Sequence, residues 1–355
     1  MDEDLKALRA HIDSIDDAIL KLLSERAGIA QQVGRAKQGE KIYRPEREAQ
    51  IVRRLREANP GPLSSDTIER LIREIISSCR ALEQTTRIAY LGPAGTFSQQ
   101  AVHKHFGHEA EALAEADIDA CFHAVETGRA DFAVVPVENS TEGAVARTLD
   151  LIVTSPLKIC SEVMLPIHQA LMRKQGGLEG IVRVYGHAQS LAQCQMWLNR
   201  HLPNAERISV VSNSDGAVRA AADPAAATLG SQAAAELYGL TVVEARVEDE
   251  RSNTTRFLVL GKTDAAPSGR DKTSLVMGAK NQPGAIVNLL QPLADAGISM
   301  SKLESRPARG SNWEYLFFVV CNGHRKDAGM VAALAEIESR AAFLKVLGSY
   351  PAASS

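Results

Sequence analysis

Aromatic side chains are scarce at 5%, and the five cysteines (Cys79, Cys121, Cys160, Cys194, Cys321) are scattered, odd in number and without a CxxC pair. That excludes a disulfide framework and a cysteine zinc site, and it leads us to expect a reducing cytoplasm. No apolar run approaches the ~20 residues needed to span a bilayer. Excess positive charge is missing too: Lys and Arg number 40 against 43 acidic residues, a formal net charge of −3. A nucleic-acid binder would show a concentrated basic patch. Neither GxGxxG nor a P-loop occurs, which argues against nicotinamide and nucleotide chemistry. The opening stretch "MDEDLKALRA" is acidic and then amphipathic, unlike a signal peptide. One histidine cluster, "HKHFGH" (His103, His105, His108), lacks an accompanying carboxylate or cysteine at ligand spacing. It reads as a helix end before Gly107, so neither metal nor cofactor is expected.

What is present falls into three regions with different patterning. The 355 residues are too many for one ordinary core. Residues 1–86 are helical throughout. Leu5, Leu8, Ile12, Ile15, Ile19, Leu22, Ile29 and Val33 keep a three-four spacing that predicts a helix over about 4–37. At 1.5 Å per residue it would be ~50 Å long, more than a small domain covers alone, so a second chain is expected along it. A second helix is predicted from Pro45 to Asn59, and a third begins after Ser65 or Asp66. Arg26, Lys37, Glu48 and Glu83 fall on the apolar faces of these helices. Buried charge is costly unless paired. The four either bridge one another or surround an anionic ligand.

Residues 87–262 alternate short strands and helices, with polar loops at the strand ends: "GPAGTFS", "VENSTEGAV", "GHAQS" and "SNSDGA". Such loops are where α/β folds hold anions, through free backbone N–H groups. "SNTTRF" (Ser252 to Phe257) runs hydroxyls and a cation into an apolar strand. It is either an ordinary strand edge or one wall of a pocket. Residues 263–272, "TDAAPSGRDK", form a linker of small and charged residues. Residues 273–350 scan as strand, helix, strand, strand, helix, strand, the ferredoxin-like order.

With these motifs in view, the chain resembles the bacterial bifunctional P-proteins, in which chorismate mutase is fused to prephenate dehydratase and a C-terminal ACT regulatory domain. The motifs "GPAGTFS", "VPVENSTEGAV", "HAQS", "NTTRF", "PGAI" and "ESRP" occur in that family's order. The resemblance implies an all-α mutase domain in an intertwined dimer (1–86), a two-lobed α/β dehydratase domain (87–262) akin to periplasmic-binding folds, and an ACT domain (273–350). It implies two small-molecule substrates, chorismate and prephenate, with L-phenylalanine as feedback inhibitor. It also implies a homodimer or higher homo-oligomer, with no nucleic-acid or membrane partner.

In the mutase, the resemblance makes Arg9 and Arg26 carboxylate ligands, with Arg9 donated by the partner subunit. Lys37 reaches the ether oxygen and Glu48 accepts from the ring hydroxyl. Arg44, Arg47 and Cys79 join the same wall. Where one branch of the family carries glutamine this chain has Glu83. It either donates a hydrogen bond as a protonated acid or stays charged against Lys37.

In the dehydratase, Thr255 is the catalytic candidate and Arg256 a carboxylate ligand, with Glu138 or His187 as titratable neighbours. Thr96, Ser98, Asn139, Ser140, Thr141, Gln189, Ser190, Asn213, Thr254 and Phe257 complete the expected contacts. The regulatory ligand is expected between Pro283, Gly284, Ala285 and Ile286 of one chain and Glu304, Ser305, Arg306 and Pro307 of the next. A different class of protein, a non-catalytic amino-acid or aromatic-acid sensor, shares the two-lobed pattern. It would need neither the TRF triplet nor charges on three helical faces. A mutase joined to a dehydrogenase would need a dinucleotide glycine loop that this sequence lacks.

Overall fold

The computed structural model describes residues 2–36, 43–279, 282–307 and 315–353. Lys37 therefore lies outside the described residues. The chain divides into two compact units, one of residues up to 86 with 106–111, the other of the remainder.

In the first unit, α1 (Asp2–Ala36), α2 (Pro45–Glu57) and α3 (Ser65–Ala81) are the three expected helices. Pro45 sits at the start of α2, where its missing N–H costs nothing. The cap of α3 is Ser64, one residue earlier than the sequence suggested, because its hydroxyl accepts from Thr67 N. α1 has no buried residue, and its apolar stripe from Leu5 to Val33 stands exposed. α3 instead carries the small core, with Ile76, Ser77, Cys79 and Arg80 buried.

The second unit holds three sheets. The first contains β1 (Arg87–Leu91), β2 (Glu111–Glu115), β3 (Phe132–Asn139), the short β4 (Gly143–Ala144), β5 (Lys158–Pro166) and β11 (Thr254–Gly261), in the order β2-β1-β3-β11-β5, with β4 against β3. α4 (Phe97–Phe106), α5 (Ile118–Glu126) and α6 (Ala146–Thr154) connect these strands. The second sheet runs β10-β6-β9-β7-β8, from β6 (Ala170–Arg173), β7 (Arg183–His187), β8 (Glu206–Val210), β9 (Ala226–Gly230) and β10 (Thr241–Glu244). Its helices are α7 (Ala188–Gln193), α8 (Gln195–His201), α9 (Asn213–Ala222) and α10 (Gln232–Tyr238). The chain crosses between these sheets twice, after β5 and before β11. The two crossings pair: Ile167 N donates to Asn253 O (2.8 Å), Val247 N to Gln169 O (2.9 Å) and Gln169 N to the Glu248 carboxylate (2.9 Å). Two lobes joined by a paired double strand result.

The third sheet is fully antiparallel, ordered β13-β14-β12-β15: β12 (Asp271–Gly278), β13 (Met300–Pro307), β14 (Tyr315–Asn322) and β15 (Phe343–Pro351), with α11 (Ala285–Asp295) and α12 (Ala328–Arg340). This is the expected ferredoxin-like order. It is welded to the first lobe, since Val276, Phe318, Leu347 and Tyr350 share one core with Val135, Ile159 and Leu258. Gly348 allows the approach, because a Cβ there would collide with the backbone of Ile159.

Candidate functional sites

In the helical unit Arg26, Glu48 and Glu83 each lie against a neighbouring helix, and Arg80 is an addition to the expected set. Arg26 donates to Cys79 Sγ (2.8 Å) and to Ile75 O (3.4 Å), tying α1 to α3. Glu48 of α2 receives Arg80 Nη1 of α3 at 2.5 Å, and Arg80 Nη2 donates to Phe106 O (2.7 Å). Arg80 is only 6% exposed and lies over the rings of Tyr43 and Phe106. Sequence reasoning missed it, although its place four after Ile76 was a usable signal. A substrate hydroxyl approaching Glu48 would thus find a carboxylate already held by a guanidinium. Glu83 is half-buried and lies across Gly34 of α1, where a Cβ would come within 2.5 Å of its Oε2. Arg44 caps α2 with its carbonyl, accepting from Arg47 N and Glu48 N (3.1 Å each). Arg47 and Arg9 are exposed. Arg9 stands 17 positions before Arg26 on the same helix, about 25 Å along the axis, so one chain does not bring the two together.

The second unit contains a cavity of about 720 Å³ between the two lobes. Thr96, Ser98, Asn139, Thr255 and Phe257 line it from the first lobe; His187, Gln189, Ser190 and Asn213 line it from the second. These nine were expected. Gln169, Gln193, Ser212, Ser214, Ser231 and Tyr238 were not. The two glutamines carry no motif, Ser212 and Ser214 flank Asn213 in the "SNSDGA" loop, and Ser214, Ser231 and Tyr238 make lobe contacts that only folding creates. Ser214 Oγ and Tyr238 OH donate to Ala94 O (2.8 and 3.0 Å), and Ser231 Oγ donates to Gly95 O (2.8 Å). The second lobe thereby grips the "GPAG" loop.

No lysine or arginine among the described residues lines the cavity. An anion there would be held by hydroxyls, amides and the N-terminal N–H groups of α4 and α9, whose first turns face it. Thr96 is the hydroxyl that caps α4, accepting from Gln99 N at 3.5 Å.

The geometry at Thr255 fixes the donor that its hydroxyl oxygen meets. Asn139 Oδ1 accepts from Thr141 N (3.0 Å) and Glu142 N (3.2 Å), so its amide orientation is determined by the backbone. Nδ2 then donates to Asn253 Oδ1 (2.8 Å) and to Thr255 Oγ1 (2.9 Å). That bond occupies one of the two lone pairs of the Thr255 hydroxyl and leaves its proton available to donate.

Arg256 and Glu138 correct the expectation. Alternation along β11 puts Thr255 and Phe257 on the cavity face and Arg256 on the other. There Arg256 Nε meets Glu162 at 2.8 Å and its Nη2 donates to Tyr350 OH at 2.9 Å. Glu138 pairs with Lys302 at 2.9 Å and stands 3.9 Å from Arg256. Neither lines the cavity. Ser140 and Thr254 are joined by the loop bond Thr254 N to Ser140 Oγ (3.0 Å), and Thr141 serves through its backbone. Burial alone would raise the Glu162 carboxyl, but the charges of Arg256 and Lys272 more than offset it and hold it below the ordinary range. Tyr350 is pushed up to about 12, first by burial.

Of the expected regulatory residues, Pro283 and Gly284 are exposed, with Gly284 (φ 75°) opening α11 in the left-handed region. Glu304 pairs with Lys302 (3.0 Å), and Arg306 donates to Ala146 O (2.8 Å). Ser305 and Pro307 are exposed along β13, an edge strand of its sheet.

A two-lobed α/β domain with a polar cleft, joined to a ferredoxin-like domain and preceded by three helices, defines the class. Family models match in that same order: chorismate mutase type II over residues 8–84, prephenate dehydratase over 88–265 and the ACT domain over 273–339. A bifunctional chorismate mutase/prephenate dehydratase of Neisseria gonorrhoeae is 52% identical over 99% of this chain and 98% of its own length. A prephenate dehydratase of Arthrobacter aurescens, solved with L-Phe, superposes with a TM-score of 0.70 at 32% identity, covering 75% of this chain and 90% of that one. A solved quorum-quenching acylase, GqqA, is similar at 28% identity and a TM-score of 0.69, covering 75% and 98%. The chain belongs to the bifunctional chorismate mutase/prephenate dehydratase family with a C-terminal ACT domain.

Proposed function

We infer that the protein carries out two successive steps of phenylalanine biosynthesis. The helical unit rearranges chorismate to prephenate. The cleft then converts prephenate to phenylpyruvate, water and carbon dioxide. The observation that carries this is the three-domain order at 52% identity over nearly the whole length. A coupled assay supplied with chorismate, following prephenate and phenylpyruvate separately, tests it. Both should appear in sequence, and failure of either to form rejects that half.

The mutase step is pericyclic and needs no nucleophile. Catalysis there means holding a dicarboxylate folded and stabilising charge on the breaking ether oxygen. Arg26, Glu48, Arg80 and Glu83 provide the charged wall within one chain, and Lys37 and a partner's α1 would complete it. The exposed apolar stripe of α1 supports a homodimer packed along that helix.

In the dehydratase step, the bond to the ring carboxylate breaks and its electron pair enters the ring. The ring C–OH bond then breaks, and the hydroxyl leaves as water after gaining a proton. Thr255, held as a donor by Asn139, hydrogen-bonds that leaving oxygen. His187 and Asp215 are the titratable groups lining the cavity. An acylase chemistry is less well supported: Ser190 and Thr255 are bonded to amides, not to an imidazole that would activate a nucleophile.

L-phenylalanine binds the ACT domain where the Gly284 turn of one chain meets the Glu304–Pro307 segment of another. The exposure of both segments supports this, as does the L-Phe complex of the Arthrobacter relative. We place the work in the cytoplasm. All five cysteines are free, and no helix among the described residues is long and apolar enough to cross a membrane.

A further inference from the structure

Gln169 lies on the first crossing between the lobes, outside every motif, and it is 2% exposed. Its Nε2 donates to Ser190 Oγ at 3.1 Å and to Gln193 Oε1 at 3.3 Å, while its own Oε1 is buried without a partner. Ser190, 4% exposed, also accepts from Asn213 Nδ2 at 2.8 Å. The orientation of Asn213 is fixed, because its Oδ1 accepts the His187 backbone N–H at 2.8 Å. Two amide donors therefore occupy both lone pairs of the Ser190 hydroxyl. Its proton has to be given elsewhere, and Ser190 and Gln169 both line the cavity.

We propose that Gln169 is a positioning residue of the dehydratase, holding the Ser190 hydroxyl as a proton donor into the cavity and offering its own carbonyl oxygen as the acceptor beside it. This rests on the cavity being the prephenate site. A donor next to an acceptor selects a group that both accepts and donates. Carboxylates and the keto group only accept, and an amide oxygen repels them. The ring hydroxyl of prephenate does both. As its C–O bond breaks, charge grows on that oxygen, so the Ser190 donation strengthens in the transition state. The device repeats, on the other lobe, the way Asn139 orients Thr255.

The test uses the full-length protein with prephenate as substrate, and mutase turnover in the same sample as an internal control. Gln169→Glu turns the donor into an acceptor, so Ser190 then gives its proton to the introduced carboxylate instead of the substrate. The kcat for prephenate should fall at least about tenfold near neutral pH, with a smaller change in KM. It should recover as the pH falls and the introduced carboxyl regains an O–H to donate. Glu248 and His168 lie against this position, Asp249 shares the second crossing, and His187 and Asp215 line the cavity. Their titration is common to both proteins, so the variant's profile is read as a ratio to wild type. Gln169→Met, which keeps the volume, should lose turnover at every pH. Ser190→Ala should match that loss and add nothing to Gln169→Glu. Full kcat in both Gln169 variants, or a Gln169→Glu loss independent of pH, overturns the proposal. A wild type inactive on prephenate overturns the dehydratase site and this proposal with it, whereas an active wild type with indifferent variants overturns this proposal alone.

Discussion

At the scale of a residue, direction matters as much as identity. Thr255 is a weak acid, so its proposed value to the leaving group lies in having its oxygen engaged by Asn139 Nδ2 (2.9 Å) and its proton free for the cavity. Thr255→Ala removes that donor while leaving the strand register with Asn139 and Leu165 to backbone bonds. Dehydratase kcat should drop by roughly 10²-fold, as for loss of a single preorganised donor. Thr255→Ser should keep most of it. Mutase turnover should be unchanged in both. Near-normal phenylpyruvate formation by the alanine variant, measured by absorbance of the product, would remove Thr255 from the mechanism.

At the scale of an element, β11 carries two functions on its two faces. Arg256, on the far face, joins Glu162 of β5 to Tyr350 of β15, and Lys272 of β12 reaches Glu162 at 2.6 Å. Glu162 is buried, and its pKa is held below the ordinary value of ~4.3. A depressed folded pKa means stability that is present above the unfolded pKa and lost as the pH falls through the folded one. Glu162→Gln leaves the buried Arg256 and the half-buried Lys272 without their shared anion and should cost about 3–5 kcal/mol. It should also flatten the acid loss of stability, because the titrating group is gone. Urea unfolding of both proteins across the acid range, followed by tryptophan fluorescence, decides this. Both tryptophans, Trp197 and Trp313, lie beyond residue 86. Parallel acid slopes for the two proteins would refute the role.

This same strand shows what the sequence discloses and what it withholds. Three helices, alternating α/β units and the βαββαβ order were legible from periodicity and turn residues alone. Nine of the cavity residues followed from motifs. Both Thr255 and Arg256 were expected in one pocket, whereas strand alternation turns them to opposite faces, and nothing in the sequence says which face fronts the cleft. That depends on β15 and β12 packing behind β5, a long-range contact without a local signal. Gln169 and Gln193 are invisible for a similar reason. They sit where the crossing strands and α7 converge, and glutamine at such a place is unremarkable until its neighbours are known.

At the scale of the whole molecule, two features ask for further chains and longer-range coupling. The stripe Leu8, Ile12, Ile15 and Ile19 on α1 is between 46% and 62% exposed, too much apolar surface to leave in water along a helix of 35 residues. With the proposed dimer seam along α1, Ile15→Glu should lower the sedimenting mass in analytical ultracentrifugation from dimer toward monomer. Mutase turnover should fall with it, since Arg9 would then lack a neighbouring site to enter. A variant that stays dimeric and fully active would mean α1 is not the seam.

A single lysine of the ACT domain, Lys302 of β13, contacts Glu138 of the cleft lobe at 2.9 Å and Glu304 at 3.0 Å. Glu138 directly precedes Asn139, the residue that orients Thr255, and Glu304 opens the segment proposed to hold phenylalanine. One ammonium thus spans β13 and the end of β3, whose Asn139 bonds the Thr255 hydroxyl. An amino-acid ligand brings a second ammonium to Glu304, which weakens that carboxylate's hold on Lys302. The change is then felt at Glu138 by charge and at Asn139 through the backbone. Lys302→Met keeps the stem and removes the charge. Phenylalanine binding by calorimetry should shift only a few-fold, because no proposed ligand contact is lost. Inhibition should need at least about tenfold more phenylalanine, which corresponds to a coupling free energy of ~1.4 kcal/mol, within the usual range for linked sites. Uninhibited dehydratase turnover should stay near wild type. If the inhibition curve of Lys302→Met superposes on that of the wild type, the signal reaches the cleft by another route, and the Arg256–Tyr350 contact becomes the one to break.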